Sequence, residues 1–155
     1  MKNKINFIAI IILIGILGMT ACKKEETTKV EPSDKLLVAD VSAGDYNVKM
    51  YAKDSLFVGY NNLYFKIRNT RTNEDVEQAT LILNPKMDMG SMNHSSPFEN
   101  PDGQAHDGYH EGAVVFIMPS SAGLWSLNVN IKESTSSTAQ NVTLFPTIFR
   151  YIDVS

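Results

Sequence analysis

The chain has 155 residues, with 14 Lys and Arg against 17 Asp and Glu for a net charge of −3, and 43% of its residues are apolar. That length fits one domain with a real core, and an acidic balance without a basic stripe argues against a nucleic-acid partner. A single cysteine excludes any disulfide within the chain.

Lys2 and Lys4 form a basic head, residues 5–17 are almost wholly apolar, and Met19-Thr20-Ala21 brings small residues up to Cys22. This is the pattern of a secretory signal with a cleavage site. It resembles a bacterial lipoprotein lipobox, with Met19 where Leu is usual. On that reading residues 1–21 are a signal peptide and Cys22 becomes the lipidated first residue. The protein is then held on a membrane of the cell envelope, with the outer membrane as one candidate and its periplasmic or surface-exposed face left open. The alternative is an uncleaved membrane anchor, since the apolar run ending at Thr20 lies near the lower limit for spanning hydrocarbon. The position of the only Cys favours the lipoprotein, and a lack of other thiols suits an oxidising compartment. Removing Lys2 and Lys4 with the signal moves the net charge to about −5.

Residues 22–34 read as a flexible tether, because one apolar residue among charges and hydroxyls cannot bury enough surface to order a segment. The opening Lys23-Lys24-Glu25-Glu26 resembles the signal that some Bacteroidetes lipoproteins carry for display on the outer face of the outer membrane; the plain alternative is a solvated charge run.

From residue 35 to 155 the pattern has a period of two. Leucine, valine and alanine over 36–41 open it; Tyr46, Val48 and Met50 follow; then Leu63, Phe65 and Ile67; then Ala79, Leu81 and Leu83. Val114, Phe116 and Met118 continue the series, and Trp125, Leu127, Val129 and Ile131 alternate strictly with Ser126, Asn128, Asn130 and Lys132. A closing stretch over 142–154 is interrupted at Pro146. Alternation of this kind builds strands with one face on a core and one in water. Turn signals at 42–45, 59–62, 69–75 and 119–123 separate them. The expected fold is an all-β, immunoglobulin-like β-sandwich of about seven strands, and no segment has the caps and periodicity of a long helix.

Residues 85–112 stand outside the strand series as a long Met/His-rich loop. All three histidines, His94, His106 and His110, fall there with Met87, Met89 and Met92. Thioether sulfur suits Cu(I) and imidazole suits either copper state, whereas Mg or Ca needs an oxygen cage. In an extended segment Met87 and Met89 point the same way, and a turn at Gly90-Ser91 swings Met92 and His94 back toward them. The second half of the loop holds Asp102, His106, Asp107, His110 and Glu111, donors that favour Cu(II) or Zn. The glycines at 103, 108 and 112 work against the helix on which His106 and His110 would share a face. A lone exposed Met or His on a loop is ordinarily just surface, and Met50 and Met118, on inward strand parity, read as core filler. Trp125 reads as a core aromatic, with a ring that would shield a nearby Cu(I) through a cation–π contact.

Three further segments join this loop in a pattern. Pro85-Lys86-Met87-Asp88-Met89-Gly90-Ser91-Met92, then Gly108-Tyr109-His110-Glu111-Gly112, Phe116-Ile117-Met118-Pro119 and Gly123-Leu124-Trp125-Ser126-Leu127 resemble the YtkA-like and FixH-like domains, extracytoplasmic β-sandwiches distantly similar to CopC-type copper carriers. The resemblance covers approximately residues 45–132. It implies a role in acquiring, buffering or passing copper, including to a copper acceptor or an oxidase-assembly protein. Carried over residue by residue, the Met-rich motif falls on Met87, Met89 and Met92, with His94 an adjoining donor. This chain departs from the family in a longer, more acidic insert carrying His106.

Catalytic signatures do not emerge: there is no Gly-x-Ser-x-Gly elbow, phosphate loop or His-Glu-x-x-His helix. The expected function is therefore a lipid-anchored copper-binding protein, not an enzyme. A metal-free interaction or assembly module of the cell envelope, or a Zn or Cu(II) store using the His, Asp and Glu half, remain as alternatives.

Overall fold

The computed structural model describes residues 34–151, so the expected signal peptide, Cys22 and all but the last residue of the tether lie outside the described residues. Among the described residues ten strands follow in order: β1 (Leu36–Ala43), β2 (Tyr46–Ala52), β3 (Gly59–Asn69), β4 (Glu74–Asp75), β5 (Ala79–Asp88), β6 (Asn93–Ser95), β7 (Phe98–Glu99), β8 (His110–Phe116), β9 (Leu124–Glu133) and β10 (Gln140–Leu144). One 3-10 turn, Ser120–Ala122, lies between β8 and β9. Seven strands have five residues or more, and they carry the segments whose alternation marks strands in the sequence.

Two antiparallel sheets form. One runs β1-β2-β3-β8-β7 with β4 on β3, the other β10-β9-β5-β6. The protein is an all-β sandwich. In β5 every residue from Ala79 to Met87 on the odd parity is buried and every one between is exposed. Trp125, Leu127, Val129 and Ile131 of β9 continue that inner face, each at 0% exposure. Val48, Met50, Leu63, Phe65, Val114 and Phe116 supply the opposing layer. Phe116 and Trp125 meet edge to face across it, ring centroids 5.1 Å apart, and the indole N–H donates to the Met118 carbonyl at 2.9 Å, so the buried ring leaves no orphan donor.

Several boundaries differ from the sequence expectation: Ser42 and Ala43 belong to β1, Glu74–Asp75 form β4 within the expected 69–75 turn, and the closing strand is β10 at Gln140–Leu144. Residues 59–62 are the start of β3, not a turn. Buried Asn61 explains it: its Oδ1 accepts from Phe57 N–H at 3.0 Å and its Nδ2 donates to the Phe57 and Gly59 carbonyls at 2.8 Å. A residue that reads as a turn former thus satisfies the neighbouring loop from inside a strand. Pro85 likewise sits within β5. Its missing N–H lies on the side where Leu83 N–H bonds the Asn100 side chain at 2.8 Å, in a stretch that pairs with β9 on the opposite edge and reaches β6 only from Lys86 onward. Finally, β8 stops at Phe116, leaving half-buried Met118 beyond the strand.

The expected loop is thereby shortened to 89–109, and it is built. After β6 the chain runs back beside β5: Asn100 bonds Leu83, the Gly103 carbonyl accepts from Ala79 N–H at 3.1 Å, and Ala105 N–H donates to Glu77 at 2.8 Å. On the way β7 pairs with β8. The segment is a strap joining the two sheets along one open side of the sandwich.

Candidate functional site

The β5–β6 hairpin pairs Asp88 with Asn93 and Met87 with His94. Met89 N–H donates to the Met92 carbonyl at 3.0 Å, which carries the pairing one step further and leaves Gly90-Ser91 as the reversal. Gly90 has φ of +81°, a left-handed conformation open to glycine, and its N–H donates to Asp88 Oδ1 at 2.7 Å. Residues opposite each other and residues two apart share a face. Met87, Met89, Met92 and His94 therefore project from one side of the hairpin, with Asp88 and Asn93 on the other.

That side is continuous with the core. Met87 is fully buried, Met89 is 37% and Met92 53% exposed, and His94 is half-buried. The four donors thus form a gradient from the inner layer to solvent. Gly123, just before β9, closes its inner wall: a Cβ placed there would stand 3.1 Å from both Met87 Cε and Met89 Cγ and 2.5 Å from the Asp88 carbonyl. Its backbone is extended, so the requirement for glycine is one of space. Trp125 is opposite Met87 on the other flank, giving the row Trp125, Met87, His94 across three strands. Gly123 and Trp125 carry a local signal in the sequence, but their proximity to Met87 comes only from the β5–β9 register.

The other two histidines go elsewhere. His106 and Tyr109 bracket a tight turn in which Asp107 and Gly108 have φ of 52° and 82°. The exposed His106 ring holds Asp102 through Nε2 at 2.9 Å. That hydrogen bond, and then the charge of Asp102, raise the imidazole above its ordinary pKa; the same bond, with a second from Gln104 N–H, lowers the carboxyl of Asp102. His110 opens β8, is 1% exposed and donates from Nε2 to the Val76 carbonyl at 2.8 Å, an oxygen that can only accept; its Nδ1 has no hydrogen-bond partner. Val76 and Glu77 lie just before β5, which starts at Ala79, and Met87 lies near its other end, roughly 25 Å from Ala79 at the strand rise. The structure brings Met87, Met89, Met92 and His94 together and leaves His106 and His110 at the far end of the strap. Among the described residues no three His, Cys, Asp or Glu side chains gather into a metal-sized group. Met50 is a core residue at 0% exposure.

No protein-family model matches this chain, and no curated protein or solved structure does either.

Proposed function

We propose that the protein is a lipid-anchored extracytoplasmic copper-binding protein that buffers or delivers Cu(I) through the end of the β5–β6 hairpin. The observation that supports this is the register: three thioethers and one imidazole share one face, with no carboxylate among them. Such a donor set is soft and carries no negative charge, so it suits a monovalent, polarisable ion over Zn or Cu(II). Exposed Met89 and Met92 are the donors that an incoming acceptor reaches first, and His94 flanks them. Met87 lies beneath as the fixed donor, walled by Trp125 and Gly123. A gradient of this kind suits transfer by stepwise ligand replacement, the outer thioethers exchanging before the inner one. Thioethers carry no proton, so only the imidazole must be deprotonated to bind. The proposed anchor at Cys22, and an acceptor among copper enzymes or their assembly proteins, complete the reading. His106 and His110 are outside this ligand set.

The test is an anaerobic titration of the full chain in detergent with Cu(I) against a cuprous chelator, alongside a Met87→Leu, Met89→Leu, Met92→Leu triple variant. Submicromolar binding that weakens by about 100-fold or more in the variant is expected. X-ray absorption of the loaded protein should show a sulfur shell. A protein that stays empty, or a variant that binds as tightly as the parent, overturns the proposal.

A further inference from the structure

A second concave site lies on the outer face of the other sheet, away from the methionines. A cavity of about 230 Å³ is lined by Tyr60, Asn62 and Tyr64 of β3, Glu111 and Ala113 of β8, and Glu99 of β7. Its shape follows from the register. Asn62 pairs with Ala113 and Ala113 with Glu99, so the middle row has a methyl group at its centre, while Tyr64 and Glu111 pair on one side and Tyr60 stands opposite Val115 on the other. Small in the middle and tall at both ends, the sheet surface is dished, and β7 of the strap raises the third wall.

The chemistry of the lining is one-sided. Two carboxylates, two phenols and the carboxamides of Asn62 and Asn100 surround the hollow, and no Lys, Arg or His lines it. Glu99 accepts a hydrogen bond from Tyr60 at 3.1 Å, which ties the two side chains together at one side of the hollow. Tyr60 is held above its ordinary pKa by desolvation and then by that bond and the charge of Glu99, so the phenol stays a donor. Neither Glu99 nor Glu111 takes part in an ion pair among the described residues. One of these rings already attracts a cation within the chain: the Lys35 ammonium stands 4.7 Å from the centroid of Tyr64, and 5.3 Å from that of Tyr109, which lies outside the lining. Carboxylates that supply charge, with phenol rings beside them, are the components from which organic cations are recognised. The volume is below that of a drug-sized pocket and matches the end of one basic side chain or a small amine.

We infer that this hollow, between Tyr60–Glu99 and Tyr64–Glu111, binds an organic cation, an alkylammonium or guanidinium group. Butylammonium is the first probe, followed by amide NMR on the full chain in detergent. Saturable shifts at Asn62, Tyr64, Glu99 and Glu111 are expected, with n-butanol, the neutral analogue of the same length, producing none. A Glu99→Gln, Glu111→Gln double variant changes two exposed side chains without altering their size, and should weaken binding by about tenfold. Putrescine compared with a capped lysine amide separates the two sources of such a group, a free amine and a polypeptide side chain; tighter binding of either identifies the source. No saturable shift up to about 50 mM, a weakness beyond physiological use, equal shifts with n-butanol, or unchanged affinity in the double variant each overturn the inference.

Discussion

Truncating Met87 and Met92 to alanine separates a structural from an exposed thioether. Met87 is at 0% exposure, in a row between Trp125 and His94, and a buried Met→Ala change removes both transfer energy and packing, about 2–5 kcal/mol. Met92 is 53% exposed, and its truncation should fall within about 0.5 kcal/mol of the parent. With a urea slope of about 1.5 kcal/mol/M, a loss of about 3 kcal/mol lowers the unfolding midpoint by about 2 M, whereas the Met92→Ala curve overlays that of the parent. Met87→Leu conserves volume and should lose less than about 1.5 kcal/mol while removing the sulfur. Equilibrium urea unfolding followed by the emission of Trp125, the only tryptophan, reads all three. If Met87→Ala unfolds at the same midpoint as Met92→Ala, the inner placement of Met87 is wrong and the proposed donor gradient goes with it. Because Met87→Leu stays folded, weaker Cu(I) binding in that variant reports on the sulfur alone.

Other consequences can be checked separately. Asn61→Ala should cost about 1–3 kcal/mol in urea unfolding, because it strands the part-buried Phe57 N–H and the Phe57 and Gly59 carbonyls. Gly123→Ala should be destabilising by about 1–3 kcal/mol and weaken Cu(I) binding, since the added methyl meets the Asp88 carbonyl and both Met87 and Met89; an unaffected variant would show that the wall is not closed there. An NMR titration should place the His106 midpoint above the ordinary histidine value, with Asp102→Asn lowering it. The stabilisation from the raised His106 is complete below its unfolded pKa and disappears as pH rises through the folded one, while that from the lowered Asp102 is lost as pH falls through its folded pKa. The parent should therefore exceed Asp102→Asn in stability only between those two limits. Ag(I), a stand-in for Cu(I), should quench Trp125 emission with one-to-one saturation, given the position of the indole beside Met87; undiminished emission with silver bound would place the ion away from that row.

The alternation of Trp125 to Ile131, and of Ala79 to Leu83, determined by itself that this is a β protein with one wet and one dry face per strand, because side-chain direction in an extended chain is a local property. The soft-donor character of residues 87–94 was equally local, being a matter of which side chains are present. Tertiary structure decided the rest. Asn61 and Pro85 look like strand breakers until the groups they bond, or need not bond, are in place around them, and those partners come from other segments. Separation of His106 and His110 from the methionines was hidden for the same reason: sequence proximity in a loop says nothing of a strap stretched along the length of β5. Gly123 and Trp125 join Met87, and Tyr60 and Tyr64 join Glu99 and Glu111, only through pairings between distant strands, and register between strands is a cooperative result of packing one shared core.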